Sequence, residues 1–242
     1  MRATLSTVSP RVLRAVAALL FVVGHFLPWA LHSTAALTQS AHDLAISTHF
    51  TPGAGIFANQ WFLVPVWAAA LIIAGYASRA EMGREAAESG LIRVVLALPG
   101  VLVLVLALGI ASLGLPTYPQ VLTAYRTPDY QAQFLITLAV MAGVIGVTLL
   151  PTRRLGALRR FAPVLLAVLA VLSAVSLIGY VMIKPAIEAL YGDSLGVGLG
   201  WWVTLTAIMA LLVAAARASA TIMHSSIHSS MRSSSGEASH AA

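Results

Sequence analysis

Residues 162–183 read APVLLAVLAVLSAVSLIGYVMI, a run of apolar and small residues without a single Asp, Glu, Lys or Arg. A helix of about 20 apolar residues crosses a hydrocarbon layer about 30 Å thick. The run does not alternate polar with apolar residues as a membrane β-strand would, and a backbone in lipid must satisfy its own hydrogen bonds. This stretch therefore predicts a transmembrane helix.

Five further stretches have the same character, and the whole composition agrees with them. Of 242 residues, 59% are hydrophobic and 9% are charged, with a mean hydropathy of +0.90. A water-soluble domain usually carries about 25% charged residues, so this class is excluded. We expect an all-α, six-helix transmembrane bundle arranged in three hairpins. The predicted spans are Ala15–Leu31, Trp61–Ser78, Val94–Leu115, Ala132–Leu150, Ala162–Ile183 and Leu199–Ala216.

The positive charges predict how the chain is oriented. Lys and Arg number 14 against 8 Asp and Glu, and all but Arg126 and Lys184 fall on the same side of the six predicted spans. Short cytoplasmic segments are enriched in Lys and Arg, so we expect both termini to be cytoplasmic. The expected segments are a cytoplasmic N-terminus 1–14, a membrane domain 15–216 with outer loops 32–60, 116–131 and 184–198, and a cytoplasmic tail 217–242. This asymmetry explains the net charge of +6, and nucleic acid is not an expected partner.

Prolines indicate where the outward-running helices end. Pro28, Pro116 and Pro185 each lie near a predicted outer end, and proline cannot continue the helical hydrogen-bond pattern. We interpret the first span as a retained anchor; a cleaved signal peptide is the alternative, since Arg11 and Arg14 precede it. The outer loop 32–60 is expected to contain a short interfacial helix or to be irregular. The Ser/His-rich tail has too little apolar content to fold alone.

Two patterns predict contact surfaces. Four tryptophans lie at the predicted outer ends, where an amphipathic ring prefers the headgroup layer: Trp29, Trp61, Trp201 and Trp202. Small residues recur four positions apart, as in Ala139 with Gly143 and Ala142 with Gly146, and such spacing lets helix backbones approach closely. The small residues suit either packing within the bundle or docking to another membrane subunit.

Histidines are the main candidates for site chemistry. His25 is the only ionisable residue well inside a predicted span, and such residues are functional candidates. It suits a structural hydrogen bond, or ligation of haem iron, a pigment or a metal. In the first outer loop, His32, His42, Asp43 and His49 are of types that bind zinc or copper, but their spacing matches no known metal motif.

Motifs for catalysis are absent from the sequence. There is no Gly-x-Ser-x-Gly elbow, phosphate-binding loop or His-Glu-x-x-His, and no cysteine to act as nucleophile or metal ligand. The predicted spans contain no carboxylate, which ion-coupled carriers usually place near the membrane centre. We therefore expect no enzymatic activity and no bound cofactor.

Two resemblances concern particular residues. Glu85-Ala86-Ala87, Gly90 and Leu98-Pro99 resemble the cytoplasmic coupling loop of permease subunits of ABC transporters, which implies docking of an ATPase to this segment. Leu27-Pro28-Trp29, followed by a long outer loop, is similar to small bacterial multi-pass membrane proteins, and this implies a bacterial inner (cytoplasmic) membrane.

The sequence as a whole favours a non-catalytic role. We expect an accessory or structural subunit whose partners are the lipid bilayer and other membrane proteins. The alternatives are the permease subunit of an ABC transporter and, third, a pigment- or haem-binding membrane subunit that uses His25.

Overall fold

The computed structural model describes residues 8–34, 38–48, 51, 59–80, 90–117, 119–149 and 160–240. This part of the chain is mostly helical, with three short strands. The helices are α1 (Pro10–Phe26), α2 (Ala41–Ser47), α3 (Val64–Ala80), α4 (Gly90–Ser112), α5 (Pro128–Leu149), α6 (Ala162–Tyr191) and α7 (Leu199–His240); 3₁₀ helices occupy Asn59–Leu63 and Gln120–Leu122, and the strands are β1 (Pro28–Leu31), β2 (Gln39–Ser40) and β3 (Gly196–Val197).

Three of these helices are long and apolar enough to cross a membrane. They are α5, α6 and the first 25 residues of α7, with mean hydropathies of 2.1, 2.6 and 2.0. Of two shorter apolar helical stretches, Gln60–Tyr76 runs from the first 3₁₀ helix into α3, and Pro99–Ser112 lies in α4. The described residues thus establish a mainly helical protein with three membrane-length helices.

The first and last helices pack side by side in opposite directions. Near the end of α1, Gly24 faces Gly200 and Thr204 of α7. At the other end, the Arg217 guanidinium donates a hydrogen bond to the carbonyl of Val8. Helix α3 also ends beside the start of α1, where the Tyr76 hydroxyl donates to a carbonyl of α1. At one end of the molecule, therefore, the start of α1 lies beside the end of α3 and the middle of α7.

The opposite end is covered by a small sheet that the sequence analysis did not predict. Its strands are antiparallel in the order β2-β1-β3, so the chain that leaves α1 pairs with the chain that enters α7. Pro28 is the cause, because the residue before a proline avoids the helical conformation. Leu27 is accordingly extended, with φ −74° and ψ 153°, and α1 ends at Phe26. We call this sheet together with α2 the cap.

One expectation about a helix end is corrected. Pro185 does not end its helix: α6 continues to Tyr191 and stops at Gly192, which adopts a left-handed φ of 70°. Glycine adopts this conformation without a Cβ clash, so the stop is at the glycine rather than at the proline. Beyond residue 216 the helix α7 runs without interruption to His240, so the tail is part of that helix as far as the structure describes it. A helix that has already nucleated adds residues at little further cost.

Candidate functional site

Three glycines bring the end of α1 and the start of α7 into direct contact beneath the cap. A Cβ on Gly24 would lie 2.6 Å from Thr204 Oγ1, and one on Gly200 would lie 2.4 Å from the carbonyl oxygen of Leu27. A Cβ on Gly198 would lie 2.2 Å from the carbonyl oxygen of Pro28. The Gly198 amide donates to the Trp29 carbonyl at 2.7 Å, which fixes the two segments together.

Trp29, predicted to belong to a contact surface, fills the space beneath the sheet and is not exposed. The side chain is fully buried, and its Nε1 donates to the carbonyl of Gly24 at 2.8 Å. The ring packs edge to face against Phe62 and Tyr180, with centroids 5.9 and 6.3 Å away. Because β1 turns back over α1, the indole finds its hydrogen-bond partner inside the protein instead of at the lipid surface.

His25 lies beside a second histidine, which comes from α2. His25 is 1% exposed, and its ring is in edge-to-face contact with that of His42 on α2, with centroids 5.6 Å apart. Both ring nitrogens of His25 and Nδ1 of His42 are buried without a hydrogen-bond partner in the protein. A buried polar atom that lacks a partner costs about 1–3 kcal/mol. No second histidine occurs in the predicted spans, so the sequence pattern did not indicate this pair.

A capping box holds α2, and therefore His42, in place. Ser40 Oγ accepts the amide hydrogen of Asp43 at 3.2 Å, and Asp43 Oδ2 accepts the amide hydrogen of Ser40 at 2.9 Å. The apolar face of α2 buries Ala41, Leu44 and Ala45. A short helix is therefore present within residues 32–60, as one of the two expectations for this segment had it. The serine and aspartate three positions apart were a signal for it that sequence reasoning did not use.

The rim of the cap carries a second polar group, built around Asp193. Asp193 Oδ2 accepts the Ser33 hydroxyl at 2.7 Å, and Oδ1 accepts the Ser194 amide at 2.8 Å. These hydrogen bonds stabilise the carboxylate and hold the pKa of Asp193 below its usual value, with a smaller contribution from His32. We call Ser33, Asp193 and His32 the rim latch, because it ties the loop after β1 to the loop after α6.

The rim latch does not have the geometry of a hydrolase triad. His32 Nδ1 accepts the Thr34 amide at 2.9 Å, and its Nε2 lies 3.7 Å from Asp193 Oδ2, beyond hydrogen-bond distance. The Ser33 hydroxyl donates to the carboxylate, whereas a nucleophilic serine donates to the imidazole. The His32 ring also packs edge to face on Tyr191. This arrangement links segments rather than activating a hydroxyl.

The other predicted contact residues separate into buried and exposed ones. Trp201 is half-buried and its Nε1 donates to the carbonyl of Leu177 at 3.3 Å, whereas Trp202 is 53% exposed. Trp61 is half-buried in the 3₁₀ helix Asn59–Leu63. A Cβ on Gly143 would lie 3.5 Å from Leu71, while one on Gly146 would meet open space. Of the two glycines, Gly143 therefore packs inside the protein and Gly146 faces outward.

Several predicted site residues lie outside the described part of the chain or do not come together there. His49 and the Glu85-Ala86-Ala87 segment are outside it, whereas Leu98 and Pro99 lie within α4. Among the residues that the structure describes, no group of three or more His, Cys, Asp or Glu could hold a metal ion. The only predicted ligands that it brings into ring contact are His25 and His42.

Comparison with known proteins adds no further assignment: no family, curated protein or solved structure matches this chain. The site must therefore be interpreted from its own chemistry.

Proposed function

We propose that this chain is a six-span protein of a bacterial cytoplasmic membrane, with both termini in the cytoplasm, that serves as a non-catalytic subunit of a larger membrane complex. The membrane part of the proposal is supported by the distribution of side chains. Large apolar residues point outward along several helices, for example Leu19 on α1, Val105 on α4 and Val171 on α6, each more than 60% exposed.

Polar side chains are found inside instead. Thr137, Ser173 and Thr204 are fully buried, and the hydroxyl of Thr137 donates to backbone carbonyls of Gly114 and Gln133. A soluble protein rarely exposes apolar patches of this extent. In lipid the exposed apolar surface is favourable because it lies in hydrocarbon. Of the three buried hydroxyls, that of Thr137 is hydrogen-bonded within the protein, whereas those of Ser173 and Thr204 have no hydrogen-bond partner there.

The single observation that carries the subunit proposal is the poor burial of α5. Within its most apolar stretch 22% of the residues are buried, compared with 39% in α6 and in α7. The outward face of α5 includes Ala139, Ala142 and Gly146, which are all exposed. A face of small residues lets a second helix approach closely in lipid, so α5 is well suited to pack against a helix of another subunit.

A matched pair of substitutions tests the docking surface. Gly146→Leu places a large side chain on the exposed small-residue face, whereas Gly109→Leu does the same on α4, where Gly109 also faces open space. We expect native mass spectrometry of mildly solubilised membranes to show a larger assembly for the unmodified chain and for Gly109→Leu. Gly146→Leu should lose it. A monodisperse monomer for the unmodified chain, or equal behaviour of the two variants, contradicts the proposal.

Single cysteines test the topology, because the chain contains no native cysteine. Thr123→Cys lies in the exposed connection between α4 and α5, and Ser235→Cys lies near the end of α7. On intact cells a membrane-impermeant maleimide should label residue 123 alone. Residue 235 should react only after permeabilisation. Labelling of residue 235 on intact cells overturns the orientation.

A further inference from the structure

Three arginines from two helices lie together at the end of the molecule opposite the cap. The Arg217 guanidinium of α7 donates to the carbonyl of Val8, just before α1, and Arg14 Nε donates to the carbonyl of Pro10 at 3.2 Å. Arg11 is a surface neighbour of Arg14, three positions away on α1. We propose that these three arginines, the basic cluster, bind the anionic phosphodiester headgroup of a membrane lipid.

Tyr76 fixes the basic cluster against the end of α3. Its hydroxyl donates to the carbonyl of Arg11, and the guanidinium carbon of Arg14 lies 5.7 Å from the centre of its ring. A guanidinium over an aromatic face is held there by a cation–π interaction. Within the part of the chain that the structure describes, the Nη groups of Arg14 make no hydrogen bond, since only Nε is used. They can therefore donate to the oxygens of a phosphate, which a guanidinium binds in a bidentate manner.

The positive charge of the basic cluster is not balanced by the surrounding chain. Among the residues that the structure describes, neither Arg11 nor Arg14 forms an ion pair. The first turn of α1 has no acidic residue, although a helix N-terminus favours negative charge and disfavours cations. The connecting segment 79–93 contains three glutamates but also three arginines, so it has no net charge. An anion from outside the chain is therefore stabilised at this position.

Exposed apolar side chains next to the basic cluster favour a lipid over a soluble anion. Val12, Val16 and Leu19 are all exposed and lie on one face of α1, in a stripe that starts beside Arg11. The acyl chain of a lipid whose headgroup is bound by the cluster would lie along this stripe. The distribution of positive charges predicts that this end is cytoplasmic, where basic pockets between membrane helices bind anionic headgroups. The inference shares with the proposed function only the location in a membrane.

Lipid titration of the purified full-length protein tests the site. The protein is delipidated in detergent, and native mass spectrometry follows the most tightly bound lipid as phosphatidylglycerol or phosphatidylcholine is added. We expect one phosphatidylglycerol to bind at least about tenfold more tightly than phosphatidylcholine, because only the first carries a net negative charge. Glycerophosphoglycerol, which has the same headgroup without acyl chains, should not displace it at equal concentration.

Three substitutions locate the binding to the basic cluster. Arg14→Gln and Arg217→Gln should each weaken phosphatidylglycerol binding about tenfold or more, because each removes a charged hydrogen-bond donor. Arg11→Gln should weaken it about fivefold, the contribution of one basic residue near an anionic surface. The Arg11 side chain is exposed and makes no hydrogen bond within the described part of the chain, so this variant keeps the test valid if the others fail to fold.

Arg126→Gln is the matched control. It removes the same charge from an exposed arginine in the connection between α4 and α5. This connection follows Gly114, which lies against Trp67 near the start of α3, whereas the basic cluster contacts its end. Since exposed charges farther apart than about 10 Å are screened at ordinary salt, the affinity should change less than about twofold.

Three outcomes would overturn the site: equal binding of the two lipids, an unchanged affinity in the folded Arg11→Gln protein, and an equal loss in Arg126→Gln. Displacement by glycerophosphoglycerol at equal concentration would overturn the assignment to a lipid and indicate a site for a soluble anion. None of these measurements depends on a larger assembly. A monomeric chain that selects phosphatidylglycerol contradicts the subunit proposal and supports the lipid site.

Discussion

Two corners of the molecule each bury polar groups between helices, and they differ in whether these groups find hydrogen-bond partners. Where α4 meets α5, the carbonyl of Gly114 accepts two hydrogen bonds, from Gln133 Nε2 and Thr137 Oγ1, both at 2.9 Å. Under the cap, His25 has two buried nitrogens and no hydrogen bond to either. At the first corner the Gly114 carbonyl is paired with the chain's own side chains, although the neighbouring Trp67 Nε1 has no hydrogen-bond partner there. The second corner is tightly packed, but its buried ring nitrogens lack hydrogen-bond partners. This open corner has the property expected of a binding site.

The largest expected effect comes from breaking the glycine contact that supports the open corner. Gly198→Ala would place a Cβ 2.2 Å from the carbonyl oxygen of Pro28, and both are backbone positions that cannot move independently. We expect a loss of about 3 kcal/mol or more in the free energy of unfolding, as for severe overpacking. Thermal unfolding in detergent measures it.

Gly109→Ala is the control, because its Cβ meets open space on the exposed face of α4. It should leave the unfolding temperature unchanged or raise it slightly, since alanine favours a helix by about 1 kcal/mol relative to glycine. Equal destabilisation by both alanines would show that the contact is not tight.

The next effect tests the closed corner. Gln133→Leu removes one of the two donors to Gly114 and should cost about 1–2 kcal/mol, the range for a buried hydrogen bond. Gln131→Leu is matched to it: this exposed glutamine, two positions away on α5, donates to the carbonyl of Tyr125. Its loss should cost less than about 0.5 kcal/mol. Chemical denaturation of the two variants measures the loss in the free energy of unfolding for each. A larger loss for Gln131→Leu than for Gln133→Leu contradicts the comparison.

A smaller effect is expected from Trp29→Phe, which keeps the ring and removes the donor to Gly24. We expect a loss of about 1 kcal/mol from this hydrogen bond. Trp202→Phe serves as the control, since that indole is 53% exposed. If Trp202→Phe is the more harmful of the two, the burial of Trp29 does not support the cap as described.

The smallest effect concerns the rim latch and depends on pH. The lowered pKa of Asp193 means that its carboxylate stabilises the folded protein at pH values above about 4, the ordinary range of the group. This contribution is lost as the pH falls through the lowered pKa. Asp193→Asn should therefore lower the unfolding temperature slightly near neutral pH and match the unmodified chain in strong acid.

Ser33→Ala sharpens this test, because the Ser33 hydroxyl is the largest cause of the lowered pKa. The variant should move the acid-induced part of the unfolding curve toward higher pH. If the unfolding temperatures of Asp193→Asn and of the unmodified chain differ by the same amount at every pH down to 3, the stabilising role of the Asp193 carboxylate is contradicted.

The sequence was sufficient for the membrane-length helices and insufficient for the cap. Long apolar runs predicted α5, α6 and the first part of α7, because length and composition alone determine such helices. Pro28 correctly predicted the end of α1, whereas Pro185 lies within α6. A single proline disrupts the hydrogen-bond pattern locally, and helices can continue past it when they are packed against neighbours.

The sequence indicated one of the two histidines of the candidate site. His25 stood out as an ionisable residue in an apolar segment, but its partner His42 lies 17 positions away in a loop with no metal-binding spacing. The two meet because β1 reverses the chain and α2 then packs back against the end of α1. Such contacts between distant residues leave no periodic signal, so sequence patterns did not reveal them.

The pairing of β1 with β3 has a consequence for biosynthesis. Residues 28–31 leave the ribosome long before residues 196–197, yet the two strands form one sheet and Gly24 rests on Gly200. Contacts between segments so far apart in the chain form late in folding. Until residues 196–204 have been made, Gly24 and β1 therefore lack the partners that they contact in the finished fold. Translation arrest or truncation before residue 200 would thus leave this contact open.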